Sequence, residues 1–363
     1  MQLDKLVNPD VLRVTPYKAS EVSSMRDDRR LTKLDLNENF MVGPRVLKRL
    51  LLKVCGAIDL RRYPDPQGSR AAGAIADFWN LSKSNVLVGN GSDDVLDRLT
   101  RAFVRRGSKI LVVEPTFPMY TYYIQLCGGD NTPVLLRSDF SLDTDAILES
   151  CCDDTNIVFI CSPNNPTGVQ FREEDVKKVL DGFSGLVVVD EAYADFARYT
   201  VAKWIQEFEN LVVLRSFSKV CGLAGIRVGY LLSSESIVEY VRKASPPFNV
   251  SSIAQGMIIA ALQNWSYFKR VADYVKKERE RLWEKLSGLP SVKPYRSDAN
   301  FILFKIMETE KASSTVEKEL QARGILVKDR GGLPLLENCM RVTVGTRTMN
   351  NRFLSTLKQV LEE

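Results

Sequence analysis

Between residues 85 and 233, short unbroken apolar runs alternate with stretches that are apolar along one helical face only. The runs are NVLVG (85–89), KILVVEP (109–115), NIVFICSP (156–163), GLVVVDEAY (185–193), NLVVLRSF (210–217) and IRVGYLLS (226–233). They are strand-sized and lack the in–out alternation of a sheet with one wet face, so both faces are expected to be covered. SDDVLDRLTRAF (92–103) and EEDVKKVLDGF (173–183) read as amphipathic helices, the first with Ser92 as N-cap. The fold class expected is α/β: a mostly parallel central sheet with helices on both faces. Ligands of such sheets sit at the carboxyl ends of the strands.

The pattern breaks at Ser245–Pro246–Pro247. A long helical stretch follows from Val250, apolar at first and charged and amphipathic from about residue 265. ANFILFKI, a helix near 312–323, GILVK, MRVTVGT and a closing helix NNRFLSTLKQVLEE read as a smaller α+β unit. The division expected is an N-terminal arm over 1–30, a large domain over 31–245 and a small C-terminal domain over 246–363. The charged run KKERERLWEK (276–285) is expected to be a solvated helix face.

Composition narrows the chemistry. The 363 residues are 45% hydrophobic and 26% charged, enough apolar material for a large core. The 50 basic and 45 acidic residues nearly balance and are spread along the chain, so no nucleic-acid partner is expected. The apolar runs are too short to span a bilayer, and MQLDKLVNPD carries charge early without an apolar segment, so neither a membrane partner nor a secretory leader is expected. Seven cysteines with no CxxC suggest reduced thiols and a cytoplasmic enzyme. There is no histidine. That excludes a histidine base, a Ser-His-Asp arrangement and a His-ligated metal, and no metal site is expected. Acid–base work falls to Lys, Asp, Glu, Tyr, Cys or a cofactor.

Polar residues then gather where the strands end. RSFSKVCGLAGIRVGY (215–230) sets Lys219 among hydroxyls and glycines, with Arg227 after it. SPNNPTG (162–168) puts Asn165 in a tight turn, and DEAY (190–193) puts Asp190 directly after LVVV. A carboxylate at the end of a buried strand is unfavourable unless it meets a cation or donors. It serves either as a helix cap or structural ion-pair member, or as the partner of a cationic group on a ligand. One cofactor accommodates all these pieces. Pyridoxal 5′-phosphate needs an amine for its aldehyde (Lys219) and a carboxylate for its ring nitrogen (Asp190). Asn165 and Tyr193 can donate to its phenolic oxygen. GNGSDD (89–94) leads into a helix, so backbone N–H groups at Gly91, Ser92 and Asp93 can meet its phosphate, with Ser216, Ser218 and Arg227 adding donors and charge.

YPDPQG, GNGSDD, EPTFPMY, SPNNPTG, DEAY, SFSK, GLAGIRVGY and RVTVGTR follow one another over nearly the whole chain. In these motifs the chain resembles the fold-type I aminotransferases of the aspartate aminotransferase superfamily. Within it, TPY (15–17), LDLNEN (34–39), RYPDPQ (62–67) and CMRVTVGTR (339–347) make it most similar to the histidinol-phosphate aminotransferases. The resemblance implies a pyridoxal-phosphate-dependent transamination of a small-molecule amino donor and a 2-oxo acid: histidinol phosphate with 2-oxoglutarate, giving imidazole acetol phosphate and glutamate. It implies that Phe117 stacks on the cofactor ring and that Tyr63 reaches the phosphate in the partner subunit of a homodimer with shared sites. Arg341 would take the donor's α-carboxylate, and Tyr17, Asn39, Lys328 and Arg330 would approach the substrate. Lys328 stands where the family commonly has arginine, and LNEN runs into FMVGP rather than a Pro-Gly-Pro-like turn. A threonine-phosphate decarboxylase-like enzyme and an aromatic aminotransferase share the scaffold and remain as alternatives.

Overall fold

The valine-rich runs form the middle of one seven-stranded sheet. In a computed structural model, which describes residues 3–15, 31–307 and 311–363, its strands are β1 (Val86–Gly89), β2 (Lys109–Glu114), β3 (Asp130–Leu135), β4 (Thr155–Cys161), β5 (Leu186–Asp190), β6 (Leu211–Ser216) and β7 (Gly229–Leu232). The order across the sheet is β1-β7-β6-β5-β4-β2-β3. β7 runs antiparallel to both neighbours, and the remaining pairs are parallel.

Alternate residues of the central strands feed two separate apolar layers. Val158, Ile160, Val187, Val189, Leu211 and Val213 face one side, while Ile157, Phe159, Val188, Val212 and Leu214 face the other. Each such side chain contributes roughly 1.5–3 kcal/mol when fully buried. The flanking helices are α1 (Pro44–Gly56), α2 (Ser69–Trp79), α3 (Ser92–Phe103), α4 (Met119–Leu126) and α5 (Glu173–Gly182). They are followed by α6 (Phe217–Val220), α7 (Glu235–Lys243), α8 (Ser252–Gln263), α9 (Trp265–Ser287), α10 (Ser313–Ala322) and α11 (Arg347–Glu362). α3, α4 and α7 cover the second layer through Val95, Leu99, Tyr120, Ile124 and Val238; α2, α5 and α8 cover the first through Ile75, Val176 and Ile258.

Two strand boundaries depart from the sequence pattern. β3, DNTPVL, carries Pro133 and has no apolar run, yet it pairs with β2. It lies at the sheet edge, where a missing N–H faces no neighbour. IRVGYLLS was expected to be strand throughout, but β7 begins only at Gly229, because Ala224–Ile226 is a 3₁₀ turn and Arg227 takes a left-handed φ of 59°.

The smaller sheet holds β8 (Val292–Pro294), β9 (Phe301–Ile306), β10 (Lys328–Asp329) and β11 (Cys339–Thr343), antiparallel in the order β10-β11-β9-β8. Contacts cross the divisions expected at residues 31 and 245. Thr32–Lys33 pairs in parallel with Ile325–Leu326, and Thr343 N–H donates to Leu34 O, so this segment packs with the smaller unit. α8 packs on α1 and α2, and Gln255 Nε2 donates to Asp65 O at 2.9 Å. The single helical stretch expected after residue 250 is two helices that meet at Asn264. KKERERLWEK is not all solvated: Glu278 and Arg279 are buried, the first on Arg281 and Asn350, the second on the carbonyls of Phe196 and Ala299. Among the described residues no helix is long and apolar enough to cross a membrane, and no cluster of His, Cys, Asp and Glu could hold a metal.

Candidate active site

The register of the large sheet brings its strand ends together. Cys161 lies beside Asp190, Asp190 beside Leu214, and Ser216 beside Gly229. A cavity of about 440 Å³ opens at this carboxyl edge, lined among others by Ser92, Asp93, Phe117, Asn165, Asp190 and Tyr193, and by Ser216, Ser218, Lys219 and Arg227. That volume suits a small-molecule ligand. The switch-point site expected of an α/β sheet is therefore present, and it collects residues that are far apart in the chain.

At one end Asp190 is buried, with Oδ1 accepting from Ala192 N–H at 2.9 Å and Oδ2 from the Tyr120 hydroxyl at 2.7 Å. Burial pushes its pKa up; the two donors and the charge of Lys219 pull it back. Tyr120 is wholly buried, stacked on Phe159 with ring centroids 5.1 Å apart, and burial keeps its own proton in place. It is a fixed donor, and it holds the carboxylate toward the cavity. Neighbouring Glu191 turns away: Arg215 donates to it at 3.0 Å and Val201 N–H at 2.7 Å. Of the acidic pair in DEAY, only Asp190 serves the cavity.

Lys219 sits on α6, a single turn that follows β6 directly. Ser216 Oγ caps that turn by accepting from Ser218 N–H at 3.1 Å. Lys219 Nζ donates to Leu36 O at 3.0 Å and lies 5.6 Å from the Tyr193 ring centroid. Burial and the nearby Arg341 guanidinium lower its pKa to about 8, so a neutral amine is within reach near neutral pH.

Tyr193 and Asn165 line the same cavity as amine and carboxylate. Tyr193 Oη accepts from Asn37 Nδ2 at 3.1 Å, and burial holds its hydroxyl protonated, so the O–H remains to donate. Asn165 Oδ1 accepts from Arg341 Nη1 at 2.5 Å, which leaves its Nδ2 for the cavity. Arg341 also donates to Asp35 O and lies 5.3 Å from the centre of the Phe301 ring. Phe117 lines the wall, edge-on to Tyr120 at 5.7 Å.

The far end is an anion cradle. The helix start differs from expectation, because Gly91 rather than Ser92 is the N-cap of α3. Gly91 has φ +91°, and a Cβ there would lie 2.6 Å from Arg227 Nη2. Ser92 and Asp93 thereby become first-turn residues with unsatisfied N–H groups. Arg227 Nη2 donates to Asp93 Oδ2 at 2.9 Å, which aims the guanidinium across this helix end. The Asp93 carboxylate is thus spent on Arg227; its backbone N–H is what faces an anion.

These groups fit pyridoxal 5′-phosphate. There is a carboxylate for a protonated ring nitrogen, two free donors for a phenolate, a lowered-pKa amine for an aldehyde, and a glycine-opened helix terminus with serines and an arginine for a phosphate.

Other sequence-derived residues lie elsewhere. Tyr63 is 82% exposed and stacks on Phe248 with centroids 4.8 Å apart, outside the cavity. Asn39 does not face the cavity: its Nδ2 donates to Val220 O at 3.0 Å and its Oδ1 accepts from Met41 N–H, so both ends of the amide are spent on backbone. It anchors the turn that carries Lys219. Lys328 lies opposite Arg341 across β10 and β11, with Nζ 3.9 Å from Glu317 Oε1. Arg330 follows β10, half-buried and outside the cavity lining. Tyr17 lies outside the described residues. Sequence reasoning missed Tyr120 and Asn37. Tyr120 ends the motif EPTFPMY, three residues after Phe117, and Asn37 belongs to LDLNEN, so position within a quoted motif was the available signal.

Residues 32–357 match the family described as aminotransferase class I and II. The histidinol-phosphate aminotransferase of Christiangramia forsetii is 36% identical over a 366-residue alignment that takes in 99% of each chain. That of Cytophaga hutchinsonii is 37% identical over 362 residues and 98% of each. Among solved structures, histidinol-phosphate aminotransferase from Sinorhizobium meliloti in complex with pyridoxal-5′-phosphate superposes with a TM-score of 0.89 over 98% of this chain and 97% of that one, at 24% identity. At that identity the likeness establishes the fold.

Proposed function

This chain belongs to the class I and II aminotransferases, and on that premise we propose that it transfers the amino group of histidinol phosphate to 2-oxoglutarate, using pyridoxal 5′-phosphate held at the carboxyl edge of the large sheet. The observation that carries this is one cavity holding Lys219, Asp190, Tyr193, Asn165 and the α3 cradle together. The choice of substrate is supported by relatives of that activity, 36% and 37% identical along almost the full chain.

The bound cofactor would supply an electron-withdrawing ring that spreads the negative charge left when a proton leaves the substrate's Cα. Asp190 would hold a proton at the ring nitrogen, with Tyr120 and Ala192 N–H donating to its carboxylate and opposing the effect of its burial. Tyr193 and Asn165 would donate to the phenolic oxygen. Gly91, Ser92, Asp93, Ser216, Ser218 and Arg227 would bind the phosphate, and Phe117 would cover the ring. Lys219 would hold the aldehyde carbon. Its Nζ, with a pKa of about 8, is poised to take a proton from Cα and return one. Arg341 would orient the glutamate carboxylate. Lys328 and Arg330, from the smaller unit, and Tyr17 would meet the substrate phosphate; that anion would compete with Glu317 for Lys328.

A homodimer with shared sites is part of the proposal. Tyr63, exposed and stacked on Phe248, is supported as the group lent to the partner's phosphate cradle. Seven free thiols support a reducing, cytoplasmic setting.

The test is a steady-state assay with histidinol phosphate, phosphothreonine and phenylalanine as competing donors, run on protein whose dimer mass has been checked by sedimentation equilibrium. Glutamate should form from 2-oxoglutarate fastest with histidinol phosphate. Preference for phenylalanine, or CO₂ release from phosphothreonine, would contradict the assignment.

A further inference from the structure

A second cavity, of about 200 Å³, lies further along α3, against β1 and the start of α2. Its charged lining is Lys83, Arg98 and Arg242, and no carboxylate faces it. Arg98, 3% exposed, is neutralised by Asp94 at 2.6 Å and tied to Val88 O and Ser245 Oγ. The other two cations have no acidic partner among the described residues: Lys83 Nζ reaches only Ser69 Oγ at 3.4 Å, and the guanidinium of half-buried Arg242 makes no ion pair or hydrogen bond. In a chain whose other lining arginines are paired, two uncompensated cations over one concavity leave a net charge for a ligand to meet.

The remaining lining fits the same ligand. Ser69, Ser84 and Gln67 add donors, while Pro66, Pro246 and Val250 form an apolar wall. α2 starts here on Gly68 at φ 58°, with Ser69 N–H donating to Asp65 Oδ2 at 2.8 Å, so the donors left for a ligand are side chains. We propose that this cavity is a binding site for a small organic phosphate monoester, its dianion between Lys83 and Arg242 and its apolar body on the proline wall. A phosphate matches two cations and several hydroxyl donors better than a carboxylate, because it carries about two charges and three acceptor oxygens. A cavity of about 150 Å³ admits one benzene ring, so the body is of single-ring size. The site is separate from the α3 cradle, which opens on the other cavity through Ser92 and Asp93.

Phenyl phosphate and inorganic phosphate are the probes, titrated calorimetrically into the cofactor-loaded enzyme so that the α3 cradle is already filled. The expected result is a phenyl phosphate binding event that persists in a Lys328→Gln/Arg330→Gln variant. It should weaken on the order of tenfold in Arg242→Gln and again in Lys83→Gln, the loss expected for one charge-assisted hydrogen bond each. Inorganic phosphate should bind at the same residues but more weakly, and transamination should be unchanged in both single variants. Two results overturn the proposal: phenyl phosphate binding that is indifferent to Lys83 and Arg242, or binding that disappears with Lys328 and Arg330. A failed transamination assay would leave this test standing, since neither probe nor variant depends on the reaction.

Discussion

Asp190 is a carboxylate in a place where charge is disfavoured, and Tyr120 offsets that burden. Their 2.7 Å hydrogen bond is made by a hydroxyl that stays protonated, so it lowers the carboxylate's proton affinity without adding charge. Tyr120→Phe keeps the ring on Phe159 and removes only the donor. The loss of one buried charge-assisted bond, about 1–3 kcal/mol, should lower kcat/KM on the order of ten- to a hundredfold in steady-state kinetics and should also lower the unfolding midpoint. A rate unaltered by the change would remove Tyr120 from the mechanism. Lys219 carries the complementary prediction. Its pKa is lowered to about 8, first by burial and then by Arg341. Only the neutral amine attacks an aldehyde, so capture of pyridoxal phosphate by the apo-protein should accelerate as pH rises through about 8 and level off above it. Arg341→Gln removes a cation that favours the neutral amine, so it should move that midpoint upward; stopped-flow absorbance reads both. At this scale Lys219, Asp190, Asn165 and Arg227 were legible because each sits in a short run whose composition a core does not need. Tyr120 and Asn37 were not. Their meaning comes from partners at Asp190 and Tyr193, which lie far along the chain and meet them only after folding. Asn39 shows the converse: a polar residue beside the site whose amide serves backbone.

At the level of elements, the site depends on where α3, α6 and β7 begin. Gly91 caps α3 with φ +91°, and a methyl there would meet Arg227 at 2.6 Å. Arg227 takes a left-handed φ of its own immediately before β7, which turns its guanidinium back to the helix end. Gly91→Ala should therefore destabilise the apo-protein by about 1–3 kcal/mol, the range for a strained backbone position, in thermal unfolding. It should also raise the dissociation constant for pyridoxal phosphate; unaltered affinity would show that the cradle does not hold the phosphate. The strand–helix alternation was readable because buried parallel strands are apolar on both faces. The exact starts were not. Ser92 has the better N-cap chemistry by residue type, yet the positive φ falls to Gly91. β3 escaped for a related reason, since an edge strand with Pro133 carries no apolar run to announce it.

In the whole molecule, two sheets with different rules meet at one cavity. The parallel sheet supplies the carboxylate, the amine and the cradle at its strand ends, and the antiparallel one supplies Arg341 from β11, which holds the cavity-lining Asn165 from behind. Asn165–Arg341 at 2.5 Å and Asn37–Tyr193 at 3.1 Å join them. Thr32–Lys33 pairs with Ile325–Leu326 of the smaller unit, across the division expected at residue 31. On the proposed reading, Lys219 is the residue that carries the cofactor. Borohydride reduction of the loaded enzyme makes a lysine–cofactor link permanent, and tryptic peptide mass spectrometry then locates it. The added mass is expected on the peptide from Ser216 to Arg227, left uncleaved at Lys219. The same mass on a peptide lacking Lys219, or no stable adduct in enzyme that turns over, would contradict it.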